Sequence, residues 1–290
     1  MASISAATVK QLRDQTGQSM MDCKNALVET EGDIELAIEL LRKKGMAVME
    51  KRSSKETKEG RIAAKKSDDG KIAVAASICC ETDFTSKNDN FGAAVETATN
   101  ALLAADSAPA DVAAFGALAT ADGRTVSTVI SDLVSQSGEK TELGDFARFE
   151  LTGPGYIHSY VHFNNKVATM IQIDAENDQA ANSEAIKTLG ADLAMHVTAI
   201  NPEGLSRDDV DPALIAKEEE IAREQMAGKP ANIIENIVKG KIDKWLSQIV
   251  LLEQPFVKDD SKTVSELVEE VGKAAGGKLT VKCFTRIQIG

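Results

Sequence analysis

A continuously apolar segment, followed by a polar loop and an alanine-rich stretch, constrains this chain most. Residues 71–80 are small or β-branched and almost all apolar, which is typical of a mostly buried strand. Residues 92–105 carry apolar side chains at helical spacing and predict a helix. The polar loop between them contains one large apolar side chain, Phe84. The polar loop therefore connects a buried strand to a helix.

Phe84 itself permits two interpretations. Its ring can fold back onto the core of its own domain, as loop aromatics commonly do. Alternatively, it can point outward beside the carboxylate of Asp83 and act as a wedge that enters a pocket of a partner. The residues of the loop alone leave both interpretations open.

A second copy of the same pattern follows 95 positions later. Residues 71–83 and 166–178 share Lys, Ala, Ile, Glu and Asp at equivalent places, and each copy precedes a predicted helix. Each copy also follows a shorter strand, so two β-hairpins with helices on one face are expected. The second copy has Gln179 where the first has Phe84. Only the first copy therefore carries the aromatic side chain.

The pattern predicts two related α+β core subdomains with antiparallel sheets. The first is assigned to residues 61–145, and the second to residues 146–203 together with 254–290. Residues 148–152 are expected to begin the second sheet, and the alternating residues 278–289 to return to it.

Two helical regions flank and interrupt this core. Residues 1–45 read as three short helices that begin at Ser5, Ser19 and Asp33, with Gly45 expected to close the third. Residues 46–60 are basic and favour a solvated linker, or less readily a nucleic-acid arm. Residues 204–253 predict an antiparallel helical hairpin with a turn at 228–230. Its second helix carries an apolar stripe in which Trp245 is expected to pack within the seam.

Composition excludes several functional classes. The formal net charge is −12 and the pI about 4.9, which argues against direct nucleic-acid binding through a basic surface. The amino terminus does not resemble a signal peptide, and no run of about 20 apolar residues predicts a membrane helix. The four cysteines lack the spacing of a disulfide scaffold. We therefore expect a cytoplasmic protein with reduced thiols and no membrane association.

No pattern of residues predicts an enzyme. A phosphate-binding glycine loop, a nucleophile elbow and a metal-ligand cluster are all missing from the sequence. Cys79 and Cys80 are a weak redox candidate, and His158 and His162 a weak zinc pair on one strand face. No cofactor and no metal is predicted, which leaves binding to another protein as the favoured function.

Two long motifs resemble the bacterial translation elongation factor Ts family. They are residues 12–27 (LRDQTGQSMMDCKNAL) and residues 81–84 (ETDF), and further matches occur at residues 195–197 and 254–257. The resemblance implies a UBA-like three-helix module, a coiled-coil insertion, and guanine-nucleotide exchange on elongation factor Tu without chemical turnover. The alternative is a non-catalytic scaffold or a chaperone-like binding module.

The resemblance also implies which residues act. It assigns Mg²⁺ displacement from the GDP-bound partner to Thr82, Asp83, Phe84 and Thr85. It assigns partner binding to Arg13, Thr16, Gly17, Met20, Met21, Cys23 and His162. Two departures from the family pattern, Ser77 for Glu and Thr85 for Val, predict a more polar rim around the wedge. Longer members continue into a further helical segment, so a partner contact there is not assumed for this chain.

Overall fold

The N-terminal part of the chain forms three helices in a computed structural model that describes residues 4–226 and 231–290. Each helix begins at its predicted cap, where the side chains of Ser5, Ser19 and Asp33 accept hydrogen bonds from backbone N–H groups in the first turn. The helices enclose a small apolar core. They are α1 (Ala6–Thr16), α2 (Met20–Glu29) and α3 (Ile34–Lys51).

The first core half is an antiparallel sheet covered by helices on one face. The strand order is β1-β2-β3, with β2 in the centre. Its strands are β1 (Glu59–Lys66), β2 (Ile72–Cys80) and β3 (Thr141–Glu150). Its helices are α4 (Asp83–Ser86), α5 (Asp89–Ala104), α6 (Val112–Ala117) and α7 (Val126–Ser137).

The second half has the same plan, with strand order β4-β5-β8. The strands of this half are β4 (Gly155–Val161), β5 (Val167–Ala175) and β8 (Leu279–Gln288), and its helices are α8 (Asp178–Ala181), α9 (Glu184–Ile200) and α12 (Val264–Ala275). The final strand, β8, pairs with β5, as predicted for residues 278–289. Between α9 and α12 lie α10 (Pro212–Glu224), α11 (Ala231–Ile249), β6 (Pro255–Phe256) and β7 (Asp259–Thr263).

The two sheets pack against each other through a third apolar cluster. Ala73 and Ala75 of β2 face this cluster, whereas Val74 and Ala76 face α5 and α7. Successive side chains on a strand point to opposite faces, so a strand between two cores must be apolar throughout. The architecture is therefore helices, sheet, sheet, helices, and the predicted α+β class with small antiparallel sheets is confirmed.

Two expectations about element boundaries are wrong. Gly45 does not end α3, which continues to Lys51 into the predicted linker. Gly45 is buried against α7, where an added Cβ would overlap the Ser135 hydroxyl, so its missing side chain permits a close helix contact. Residues 148–152 do not begin the second sheet, because β3 pairs with β2 and crosses the predicted boundary at 145. Phe146 of this strand packs into the first core, and this contact with residues distant in sequence cannot be inferred from the local pattern.

The region between α9 and α12 contains the predicted pair of helices. α10 and α11 share an apolar seam that includes Val238 and Ile242, and Trp245 packs in it as expected. The predicted turn at 228–230 lies outside the described residues. The names UBA-like and coiled coil stay predictions for the two helical regions, as do the domain boundaries. Within the part that the structure describes, we find no helix whose length and apolarity would let it span a membrane.

Two of the short motifs meet in the second core half. His196 in α9 is fully buried, and its Nε2 lies 2.8 Å from the side-chain oxygen of Gln254. Its Nδ1 accepts a hydrogen bond of 3.2 Å from the backbone N–H of Val257. Burial lowers the pKa of His196, so the ring is neutral at pH 7. The histidine thus links α9 to residues 254–257, which follow the helical pair.

Candidate partner-binding surface

Phe84 points away from the protein. It lies in the one-turn helix α4, whose cap is Thr82, and 84% of the residue is exposed to solvent. Phe91, in the next helix, fills the adjoining core and is 1% exposed. The aromatic ring that packs in the adjoining core is therefore that of Phe91, and the ring of Phe84 stays in solvent. The inward interpretation of the loop is therefore wrong.

The loop that carries Phe84 is held from both sides. Glu139 accepts hydrogen bonds from the hydroxyl of Thr82, at 2.8 Å, and from its backbone N–H, at 3.2 Å. Glu81 accepts one from the backbone N–H of Lys140, at 2.6 Å, and forms an ion pair with Arg52, also at 2.6 Å. These contacts fix the backbone before any partner arrives. An aromatic side chain on a rigid loop binds with little loss of conformational entropy.

Asp83 presents a negative charge beside the ring. Lys87 Nζ donates a hydrogen bond of 2.6 Å to Asp83 Oδ2, and this bond lowers the pKa of Asp83. The carboxylate is therefore ionised at neutral pH. Its side chain is 47% exposed, so the pair with Lys87 can open when another cation approaches.

The other residues around the loop have supporting positions. Thr82 caps α4, and Thr85 donates its backbone N–H to the Thr82 hydroxyl. Ser77 is buried within β2 and donates its hydroxyl to the backbone oxygen of Asp145, at 2.8 Å. It does not reach the loop's surface, so the prediction that it makes the rim more polar is wrong. Thr85, which is half-buried, remains the polar departure on this loop.

The first motif forms a second exposed surface, on the N-terminal module. Met20 and Met21 begin α2 and are 44% and 63% exposed, and Arg13 is also exposed. Gly17 ends α1 with φ at +67°, a conformation that favours glycine. The Thr16 hydroxyl donates to the backbone oxygen of Leu12 and closes the same turn.

Cys23 requires a correction. Its side chain is 0% exposed and lies in the core of the module, so it cannot touch a partner directly in this conformation. Its place in the motif is explained by packing, because α2 needs a small apolar side chain there.

A cleft brings the two motifs together. It has a volume of about 250 Å³ and lies where the loop after α1 approaches the loop before α5. Its lining includes Gly17, Phe84, Thr85 and Gln136. Two segments that are far apart in sequence thus border one depression on the surface.

The turn between β4 and β5 carries a candidate residue that the sequence reasoning missed. That residue is Phe163, which is 88% exposed. The predicted His162 precedes it and is half-buried, with its Nδ1 2.8 Å from the hydroxyl of Tyr160. Asn165 stabilises this turn, because its N–H donates to His162 and its backbone oxygen accepts from Ile62 of β1. A phenylalanine beside two asparagines at a hairpin turn was the available signal. Phe84 and Phe163 are the most exposed large apolar side chains of the described residues.

The metal and redox candidates gain no support. Among residues 4–226 and 231–290, no group of three potential ligands includes His158 or His162. Burial raises the pKa of Cys79 to about 11 and that of Cys80 to about 12. Both thiols are protonated at neutral pH, whereas the nucleophilic form of cysteine is the thiolate.

Comparisons with known proteins agree on one family. The family model described as Elongation factor TS matches residues 81–290. Elongation factor Ts of Desulfovibrio desulfuricans is 38% identical over 100% of this chain and 99% of its own length. Elongation factor Ts of Clostridioides difficile is 38% identical over 100% of this chain and 94% of its own length. That of Chloroherpeton thalassium is 39% identical over 100% of this chain and 99% of its own length. The chain therefore belongs to the elongation factor Ts family of translation elongation factors.

Proposed function

We propose that this protein is a guanine-nucleotide exchange factor for elongation factor Tu. It binds the GDP-bound form, disturbs the Mg²⁺ site and promotes GDP release, so that GTP can bind. No chemical turnover takes place. The observation that carries the proposal is Phe84, whose exposed ring stands on a rigid loop beside the ionised carboxylate of Asp83.

The mechanism uses the geometry that GTPases require of their metal. Mg²⁺ bridges the nucleotide phosphates to protein ligands and demands near-ideal octahedral coordination. A ring pushed between the elements that carry those ligands moves them out of position. A carboxylate brought close to the site competes for the cation. Phe84 and Asp83 supply these two effects from one turn of helix.

Two further contacts hold the wedge in place. The surface around Met20 and Met21, with Arg13, Thr16 and Gly17, binds the nucleotide domain of Tu. The hairpin turn with His162 and Phe163 binds a second, more distant part of the same partner. Binding of this protein lowers the affinity of Tu for nucleotide by a certain ratio. By linkage, binding of nucleotide lowers the affinity of Tu for this protein by the same ratio. The same complex therefore accelerates exchange in either direction, and the cellular excess of GTP sets the outcome.

The net charge of the chain bears on the choice of partner. A net charge of −12 disfavours binding to nucleic acid, so the proposed partner is the protein Tu alone. Tu in its nucleotide-free form is the tight-binding state, because no GDP opposes the wedge. We place the reaction in the cytoplasm, away from membranes, and assign it no cofactor.

Release of labelled GDP from purified Tu tests the proposal. The rate should rise with the concentration of this protein and reach a plateau, while the amount of free phosphate stays constant. Association with Tu that leaves the rate of GDP release unchanged would identify a scaffold instead. Failure to associate with either the GDP-bound or the nucleotide-free form would refute the choice of partner.

A further inference from the structure

One side chain near the end of α7 bridges the two motif-bearing surfaces. Gln136 Nε2 donates a hydrogen bond of 2.9 Å to the backbone oxygen of Thr16, in the N-terminal module. Its Oε1 accepts one of 3.3 Å from Asn90 Nδ2, in the first turn of α5. Thr16 leads into the surface around Met20 and Met21, and Asn90 follows the loop of Phe84. The amide of Gln136 thus contacts both sides of the cleft.

The space beside Gly17 fits the side chain of Gln136. Gly17 follows Thr16, and an added Cβ at Gly17 would lie 2.8 Å from Gln136 Nε2 and 3.0 Å from its Cδ. The glutamine therefore fills the space that the glycine leaves free. Gly17 has a left-handed conformation as well, so its absence of a side chain serves both the turn and the contact.

Other contacts join the module to α7 at a different place. Ser135 donates its hydroxyl to the backbone oxygen of Leu41, at 3.2 Å, and Arg42 pairs with Asp132 at 3.6 Å. Both contacts hold α3. The loop between α1 and α2, which carries the first motif, is held instead by Gln136.

We propose that Gln136 is a positioning residue that sets the spacing between the module's binding surface and the Phe84 wedge. The inference rests on the proposed exchange function and adds a way of controlling it. Two binding elements on one rigid body engage together because each keeps the other at a high effective concentration. When the bridge is lost, the module still binds Tu, but fewer complexes have Phe84 seated.

The loss that matters is that of the hydrogen bond from Gln136 Nε2 to the backbone oxygen of Thr16. Removing it should lower the plateau rate of GDP release about fivefold, which corresponds to about 1 kcal/mol. The concentration at half-maximal rate should stay within about twofold, because the unchanged surface around Met20 and Met21 sets how much Tu is bound, whereas the seating of Phe84 sets the rate within the complex. A fall in the plateau with little change in the midpoint separates lost positioning from lost binding.

Three variants make the test specific. Gln136→Ala removes both hydrogen bonds. Gln136→Glu keeps the size and can still accept from Asn90, but its carboxylate cannot donate to Thr16. Both should lower the plateau. Gln248→Ala, which truncates an exposed glutamine on α11, is the matched control and should match the parent protein.

Amide hydrogen exchange of the protein alone supplies a second readout. In both Gln136 variants, peptides covering residues 12–20 should exchange about fivefold faster, whereas peptides from α12 should be unchanged. If the parent fails to accelerate GDP release, the exchange function fails, and hydrogen exchange still reports on the bridge. An unchanged plateau and unchanged protection in both variants overturn the inference. It is equally overturned if a lower melting temperature of both variants accounts for their loss of activity.

Discussion

Truncation of the exposed ring, Phe84→Ala, separates the proposed wedge from the fold. At 84% exposure the ring contributes little to the core. We expect the free energy of unfolding to change by less than about 0.5 kcal/mol, as for other surface substitutions. The variant should therefore fold and melt like the parent.

The effect on exchange should be large for the same reason. Burying a phenylalanine side chain contributes about 1.5–3 kcal/mol, and nearly all of this remains available in the free protein. A loss of about 2 kcal/mol, the threshold for an interface hot spot, corresponds to about 30-fold. By linkage, the 30-fold loss appears in the ratio by which this protein and GDP weaken each other's binding to Tu.

The assay is the rate of labelled GDP release from Tu at rising concentrations of each variant. Phe84→Ala should lower the plateau by about 30-fold, and the midpoint should change less. Phe91→Ala is the contrasting variant, because its ring is 1% exposed and its loss should cost about 3–5 kcal/mol of stability. A full plateau rate for Phe84→Ala, or a melting loss like that of Phe91→Ala, would refute the reasoning.

Phe163→Ala should raise the midpoint of the same titration by about 10-fold and leave the plateau intact, since its ring serves the second contact; an unchanged midpoint would remove this turn from the interface. Gly45→Ala forces a methyl group into the Ser135 hydroxyl and should cost about 1–3 kcal/mol in urea unfolding, whereas parental stability would contradict the close packing of α3 and α7. Replacing residues 206–248 with a short loop should preserve measurable exchange, because backbone hydrogen bonds hold the two ends side by side; a folded variant without exchange would make the helical pair part of the mechanism. Burial lowers the folded-state pKa of His196 from 6.5, so the stability it supports is present above pH 6.5 and is lost as the pH falls toward the lowered value. His196→Gln should reduce the slope of unfolding free energy against pH below 6.5 by at most about 1.4 kcal/mol per pH unit, and an unchanged slope would contradict a buried neutral ring.

Local chemistry made much of the fold readable from the sequence. Ser5, Ser19 and Asp33 cap their helices because a short polar side chain reaches the free N–H groups of the first turn, whatever lies around it. The apolar run of β2 predicted a mostly buried strand, and in the structure its alternate side chains enter two different cores. The two motifs identified the candidate residues before any contact was known.

Glycine and aromatic residues marked the limit of that reasoning. Gly45 looked like a helix stop, yet it is a point of close approach, because both uses need only the absence of a Cβ. The partner of β3 depends on Phe146 finding the first core, and alternation along a strand does not say which sheet it joins. Phe163 was overlooked because its sequence context is an ordinary turn.

The sequence by itself determined the elements, the family resemblance and the two motifs, because caps, periodicity and motif residues act within a few positions of one another. The tertiary structure alone decided that Phe84 points outward, because it is Phe91 that packs in the adjoining core while 84% of Phe84 is exposed. It also decided that Cys23 is hidden and that Gln136 joins Thr16 to Asn90. Those outcomes depend on contacts between distant segments, and Thr16 and Gln136, 120 positions apart, meet only once the chain has folded.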